Sequence, residues 1–152
     1  QMCIETGAAI AGAPADTIEA FRGYGHDIGI AYQLRDDVLG VFGDSAVTGK
    51  PAGDDLREGK RTVLFATALQ LLDESDPSAA AELRAGIGTA TAPEELARLA
   101  ELIAESGALE GVEKRIDALT TSGLAHLETA NIDDAVADTL RQLAIKSTER
   151  RA

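Results

Sequence analysis

The chain has 152 residues, of which 14 are basic and 26 acidic, for a formal charge of −12. A length of this order fits one compact domain, and so acidic a balance argues against a phosphate-backbone binder built on a broad basic face, so no nucleic-acid partner is expected. Hydrophobic residues at 45% with aromatics at only 3% and no Trp point to a core of Leu, Ile, Val and Ala, the composition of packed helices.

The start, Gln1-Met2-Cys3-Ile4-Glu5, lacks an initiating Met at position 1 and the basic start of a signal peptide. From Pro14 the spacing predicts one long helix, about 15–43, with Asp16 or Thr17 as cap. Ile18, Phe21, Tyr24, Ile28, Ala31 or Tyr32, Val38 and Phe42 recur on it at three- and four-residue steps. Gly23, Gly25 and Gly29 inside it each cost about 1 kcal/mol relative to Ala, which suggests close approach of a neighbouring helix. Tyr32 and Phe42 are expected in the core. His26 and His126 read as isolated surface or interface residues.

Residues 44–61 break every period, with Gly49, Pro51, Gly53 and Gly59, and read as a structured loop. Helical patterns follow at about 62–74 and 78–87. A helix starts at Pro93-Glu94-Glu95, runs to about Ser106 and stops at Gly107. Two more are expected at about 109–129 and 133–150, the last capped within Asn131–Asp134. No alternating strand pattern is present, so the class is all-α. No apolar run approaches the ~20 residues of a membrane span. A single cysteine, Cys3, excludes an internal disulfide, and a reducing, cytoplasmic setting is expected.

The chemistry concentrates in Gln33-Leu34-Arg35-Asp36-Asp37 and the loop after it. Gln33 precedes Asp36 and Asp37 by three and four residues, so the three can share a helical face. Two carboxylates near the negative end of a long helix ask for a compensating cation, and Mg²⁺, which takes one or two carboxylates plus waters and substrate phosphates, is the economical one. Lys50 and Lys60 each follow a glycine, a context that frees ammonium and backbone N–H groups for an anion. Carboxylates with lysines suggest metal with diphosphate, the lysines neutralising outer oxygens of a leaving group. An Asp-Asp pair alone is most often solvated surface, and a Gly-Lys pair is often turn chemistry. A phosphate-binding Walker loop is excluded, because Asp54 stands where a Gly is needed and Arg61 follows Lys60. Gly49-Lys50 fails in the same way at Asp44 and Pro51, and no EF-hand spacing is present.

Tyr32-Gln33-Leu34-Arg35-Asp36-Asp37 through Asp44, then Gly49-Lys50-Pro51-Ala52-Gly53-Asp54-Asp55-Leu56-Arg57-Glu58-Gly59-Lys60-Arg61-Thr62, closely resembles the second aspartate-rich region of trans-isoprenyl (polyprenyl) diphosphate synthases. That pattern runs Phe-Gln-x-x-Asp-Asp-x-x-Asp, then Gly-Lys-x-x-Gly-x-Asp-Leu-x-x-Gly-Lys-x-Thr. Gly7-Ala8 with Ala11-Gly12, and Gly25 with Gly29 and Ala31, look like the family's preceding helices, and 65–152 resembles it only as helices. The resemblance implies a helical bundle of the isoprenoid synthase type, in one domain of which residues 1–152 would be the C-terminal part. It also implies a short-chain synthase, of geranylgeranyl or farnesyl diphosphate type, that condenses isopentenyl diphosphate with an allylic diphosphate. Asp36 and Asp37 would serve a Mg²⁺ on the allylic diphosphate, Lys50 and Lys60 would contact that diphosphate, and Gln33 would lie beside the reacting allyl group.

The same resemblance implies a homodimer. Two departures stand out: Gly40 replaces the third acid, and Tyr32 replaces the usual Phe. The family's first aspartate-rich motif falls before the position of Gln1, so the 152 residues by themselves are expected to be inactive in prenyl transfer. The alternatives are a non-catalytic partner subunit of a two-component synthase, in which a degraded Gly40 position makes sense, and a terpene cyclase-like protein, which shares the ionisation chemistry but usually lacks the two-lysine loop.

Overall fold

The computed structural model describes residues 2–43 and 52–149, and these are helices joined by short turns, with no strand among them. In chain order the helices are α1 (Met2–Ile10), α2 (Ala15–Phe42), α3 (Asp54–Arg57), α4 (Val63–Ser75), α5 (Pro77–Gly86), α6 (Pro93–Glu105), α7 (Ala108–Glu128) and α8 (Asp134–Thr148). The all-α class and the long helix follow the sequence pattern. Helix α1 is expected only from the family resemblance at Gly7-Ala8, because Gly7 and a run of small residues carry no amphipathic stripe. A turn through Gly12, at φ 75°, separates α1 from α2.

Local chemistry sets the helix boundaries. Helix α2 opens on the Pro14 carbonyl, which accepts from Ile18 N–H at 3.0 Å, so neither Asp16 nor Thr17 precedes the helix as its cap. Asp16 instead lies in the first turn, where its Oδ1 accepts from Thr17 N–H at 2.7 Å. Thr62 caps α4 by accepting from Phe65 N–H, and Asp76 caps α5 by accepting from Ser78 and Ala79 N–H. Pro93 opens α6, and Glu95 reaches back to accept from Thr91 and Ala92 N–H, which holds its carboxyl below the usual range. Gly107, at φ 82°, ends α6 where a side chain would be strained. Asp133 caps α8.

The described residues cluster into two compact units, 2–33 with 115–149 and 34–114. In the first, Tyr24, Ile28, Leu127 and Ala144 form the core, with Phe21, Leu124 and Leu140 packed on it. Tyr24 Oη donates to the Leu140 carbonyl at 2.8 Å, so the ring is buried without stranding its hydroxyl, and burial pushes the phenol's pKa up. Gly23 lets α7 close in, since a Cβ there would meet the His126 ring at 2.6 Å. Gly29 has open space beside it, so the close approach expected there is absent. The two histidines are not isolated: His26 Nδ1 lies 2.9 Å from Asp27 Oδ1, and His126 Nε2 lies 3.6 Å from Asp27 Oδ2. The Thr17 hydroxyl is buried with no partner among the described residues.

In the second unit α4, α5 and α6 pack on one another and α3 packs on α6. Leu64, Leu83, Leu102 and Ile103 are fully buried, each contributing about 2 kcal/mol of transfer free energy. Gly59 and Gly88, both at positive φ, meet backbone to backbone. A Cβ on Gly59 would lie 3.2 Å from Gly88 Cα, and Gly88 N–H donates to the Leu56 carbonyl at 2.8 Å.

Candidate functional site

Of the loop expected at 44–61, residues 44–51, and Lys50 with them, lie outside the described residues. The remainder is not all loop, since Asp54–Arg57 makes one helical turn. Gly53, at φ 75°, sets its entry direction, and Leu56, 1% exposed, anchors it in the core. This turn buries Asp54 and Asp55 and leads through Gly59 to Lys60 and then to the start of α4.

The second unit holds Asp36, Asp37 and Lys60. Asp36 is exposed, whereas Asp37 is 7% exposed and its Oδ2 accepts from Val63 N–H, the first residue of α4, at 3.3 Å. That bond ties the aspartate helix to the segment following Lys60. Lys60 Nζ donates to Asp55 Oδ1 at 2.6 Å and pairs with Glu58 at 2.9 Å. The hydrogen bond to Asp55 and then that to Glu58 raise the Lys60 pKa, so the ammonium stays charged throughout the neutral range. Arg35, buried beside Asp36 in sequence, makes a two-pronged pair with Glu113, Nη1 to Oε1 and Nη2 to Oε2 both at 2.6 Å. Arg57 pairs with Asp54.

Gln33 is exposed on the part of α2 that belongs to the first unit. Tyr32 is 41% exposed, which corrects its placement in the core, and it stands beside Gln33 on the solvent side of the helix. Phe42 is half-buried.

Sequence reasoning gave Asp55 no role. Asp55 lies on the other side of Gly40: a Cβ on Gly40 would meet its Oδ1 at 3.0 Å, with Oδ2 and Cγ nearer still. The available signal was its place in the family pattern, since Asp55 stands at the Asp of Gly-x-Asp-Leu.

Asp36 and Asp37 offer hard oxygen donors, the donor set Mg²⁺ takes in ones and twos while it keeps waters and substrate phosphates. Among the described residues no group of three or more acidic, His or Cys side chains converges. Among the described residues no helix is long and apolar enough to cross a membrane.

The chain matches the polyprenyl synthetase family over residues 1–105. A (2E,6E)-farnesyl diphosphate synthase of Mycobacterium tuberculosis is 36% identical over 149 residues, 97% of this chain and 42% of that protein. A geranylfarnesyl diphosphate synthase of Aeropyrum pernix is 40% identical over 109 residues, 72% of this chain and 32% of that protein. Among solved structures, geranylgeranyl pyrophosphate synthase from Corynebacterium glutamicum, complexed with isoprenyl diphosphate and magnesium, is similar at TM-score 0.93 and 61% identity, over 95% of this chain and 41% of that one. The chain thus spans under half the length of these relatives. Sequence, helical architecture and family match agree, and the chain belongs to the polyprenyl synthetase family.

Proposed function

We propose that this chain is the part of a short-chain trans-isoprenyl diphosphate synthase that holds the diphosphate of the allylic substrate. The observation that carries this reading is the docking of the lysine segment on the aspartate helix, where Val63 N–H bonds to Asp37 and the Asp55 carboxyl, which anchors Lys60, is seated against Gly40. One short stretch of chain thereby brings carboxylates for a cation and an ammonium for an anion into the same unit.

In the proposed chemistry the allylic C–O bond breaks and its electron pair leaves with the diphosphate. The double bond of isopentenyl diphosphate attacks the allyl cation, and a proton then passes to pyrophosphate. A divalent cation bound at Asp36 and Asp37 would supply charge neutralisation of the leaving group. Val63 N–H fixes the Asp37 carboxylate, so little reorganisation is needed when charge develops. Lys60 carries a fixed positive charge, and two of its three N–H donors are engaged by Asp55 and Glu58. Its remaining donor is available to a diphosphate oxygen. Lys50 is assigned the same duty by the family pattern, and Gln33 a place beside the allyl group.

The same family reading carries a homodimer and Mg²⁺ as the cation, and the single Cys3 carries a reducing, cytoplasmic setting. The competing assignment to a non-catalytic partner leaned on Gly40 as a degraded position, and the packing of Asp55 supplies that glycine with another reason.

The test is chain elongation with Mg²⁺, isopentenyl diphosphate and an allylic primer. The 152 residues alone, which carry only the second aspartate-rich motif, are expected to give no product, whereas a synthase containing them together with the first motif turns over. Elongation by the 152 residues alone would refute the division of labour, and an inactive complete synthase would refute the function.

A further inference from the structure

From Leu34 to Phe42 on α2, Asp36 is the one exposed residue; every other is buried or half-buried. At 3.6 residues per turn the side chains of positions 35 and 37 leave the helix axis about 100° to either side of it. Both flanks are tied to other helices. Arg35 reaches α7, where the two prongs of its guanidinium each meet an oxygen of Glu113 at 2.6 Å, and Asp37 accepts from Val63 N–H at the start of α4. Glu113 has a firm base, because Val112 and Ile116 on either side of it along α7 are buried.

Leu34, Val38, Leu39 and Val41 hold α2 in place by apolar contact, which is non-directional. A fork-to-fork pair of guanidinium and carboxylate is directional. A side-chain carboxylate lies ~6 Å from the helix axis, so about 10° of rotation moves it by ~1 Å. A misplacement of that size in a reacting geometry can cost about 10²-fold. Apolar side chains of similar volume can replace a buried ion pair without loss of stability, but they do not set the angle of the helix.

We propose that Arg35 and Glu113 are a positioning pair: with the Asp37–Val63 bond on the opposite flank, they fix the rotation of α2 and so aim Asp36 at the divalent cation. This rests on the diphosphate-binding reading above. Arg35 and Glu113 act through Asp36, and neither is itself a ligand. The pair is therefore kept for direction, and its removal separates stability from cation binding.

The test is calorimetric titration of Mg²⁺ into the full chain with inorganic pyrophosphate, reading the Mg²⁺ concentration at half-saturation, beside a thermal melt of each variant. The double variant Arg35→Leu with Glu113→Leu is expected to melt within about 4 °C of the parent. It is also expected to need about tenfold more Mg²⁺, as loss of a group that orients a ligand does. Glu113→Asp keeps both charges but draws the carboxylate back by one methylene, and is expected to need about threefold more, the fork being loosened rather than lost. A cooperatively folded double variant with the parent's Mg²⁺ requirement overturns the proposal. If the double variant fails to melt cooperatively, an unchanged requirement in Glu113→Asp overturns it instead. Asp36→Asn serves as the control: if it leaves Mg²⁺-dependent binding intact, or if the parent shows none, the diphosphate reading itself falls and takes this one with it.

Discussion

The two units of the chain bury different things. In residues 2–33 with 115–149 the buried polar side chains are the hydroxyls of Thr17 and Thr148, and the core is closed by apolar side chains around one tyrosine. In residues 34–114, Arg35, Asp37, Asp54 and Asp55 are all buried, and each is held in a hydrogen bond or ion pair. Burying a charge costs several kcal/mol before its partner repays it, and apolar replacements often do as well or better. A helical unit of Leu, Ile and Ala has no structural need of four such groups. Their concentration in one unit separates a part built for cohesion from a part in which cohesion is traded for placed charge.

The sharpest way to break that contrast is to remove charge while keeping shape. In the complete synthase, Asp36→Asn and Asp37→Asn are each expected to lower kcat by about 10³-fold, or ~4 kcal/mol, with thermal melting unchanged. A fall in melting temperature with normal turnover would make these carboxylates structural. Next in size, Arg35→Ala is expected to cost ~2 kcal/mol in urea unfolding because it strands Glu113, whose partial exposure keeps the loss below that of a fully buried pair. Replacing both members by Leu should recover most of it, and an equal or larger loss in the double variant would show that the pair earns its place by stability.

In the cohesive unit the expected effects are smaller. Tyr24→Phe removes one buried hydrogen bond to the Leu140 carbonyl and should cost ~1 kcal/mol by the same measurement. The smallest effect concerns Asp27. Burial pushes its carboxyl up, but hydrogen bonds from Ser122 and His26 and the charge of the two imidazoles together hold it below its ordinary value. Its contribution is therefore fully present above the unfolded-state value near 3.8 and is lost as pH falls through the lower folded value. Melting curves between pH 2 and 5 should show the parent losing about 1 °C relative to Asp27→Asn in acid, and parallel curves would remove the role.

What the sequence made legible was local. Pro93, Gly107 and the capping region Asn131–Asp134 placed helix ends, although Asp16 and Thr17 did not, and the aspartate–lysine spacing picked out Asp36, Asp37 and Lys60, because each signal spans a few residues. The contacts that were missed join residues far apart in the chain: Gly40 with Asp55, Gly23 with His126, and Tyr24 with Leu140. Tyr32 was misplaced because it lies one position off the buried stripe, which runs through Ile28, Ala31, Leu34 and Val38. The single turn at Asp54–Arg57 was hidden by its glycine-rich surroundings, and its backbone bonds, from Arg57 N–H to the Gly53 carbonyl and from Glu58 N–H to the Asp54 carbonyl, mark it as helix.

The contact between Gly59 and Gly88 has a consequence for anyone mapping this chain by mutagenesis. Gly88 has no side chain and no chemistry, and it lies 28 positions from the lysine that Gly59 precedes, yet nothing larger than hydrogen fits between the two backbones without moving one of them. A saturation screen scored on turnover would therefore place Gly88 alongside the charged residues. Its substitutions would register as a catalytic defect although the residue brings no functional group, and a stability screen run in parallel would be needed to tell an inert spacer from a working group.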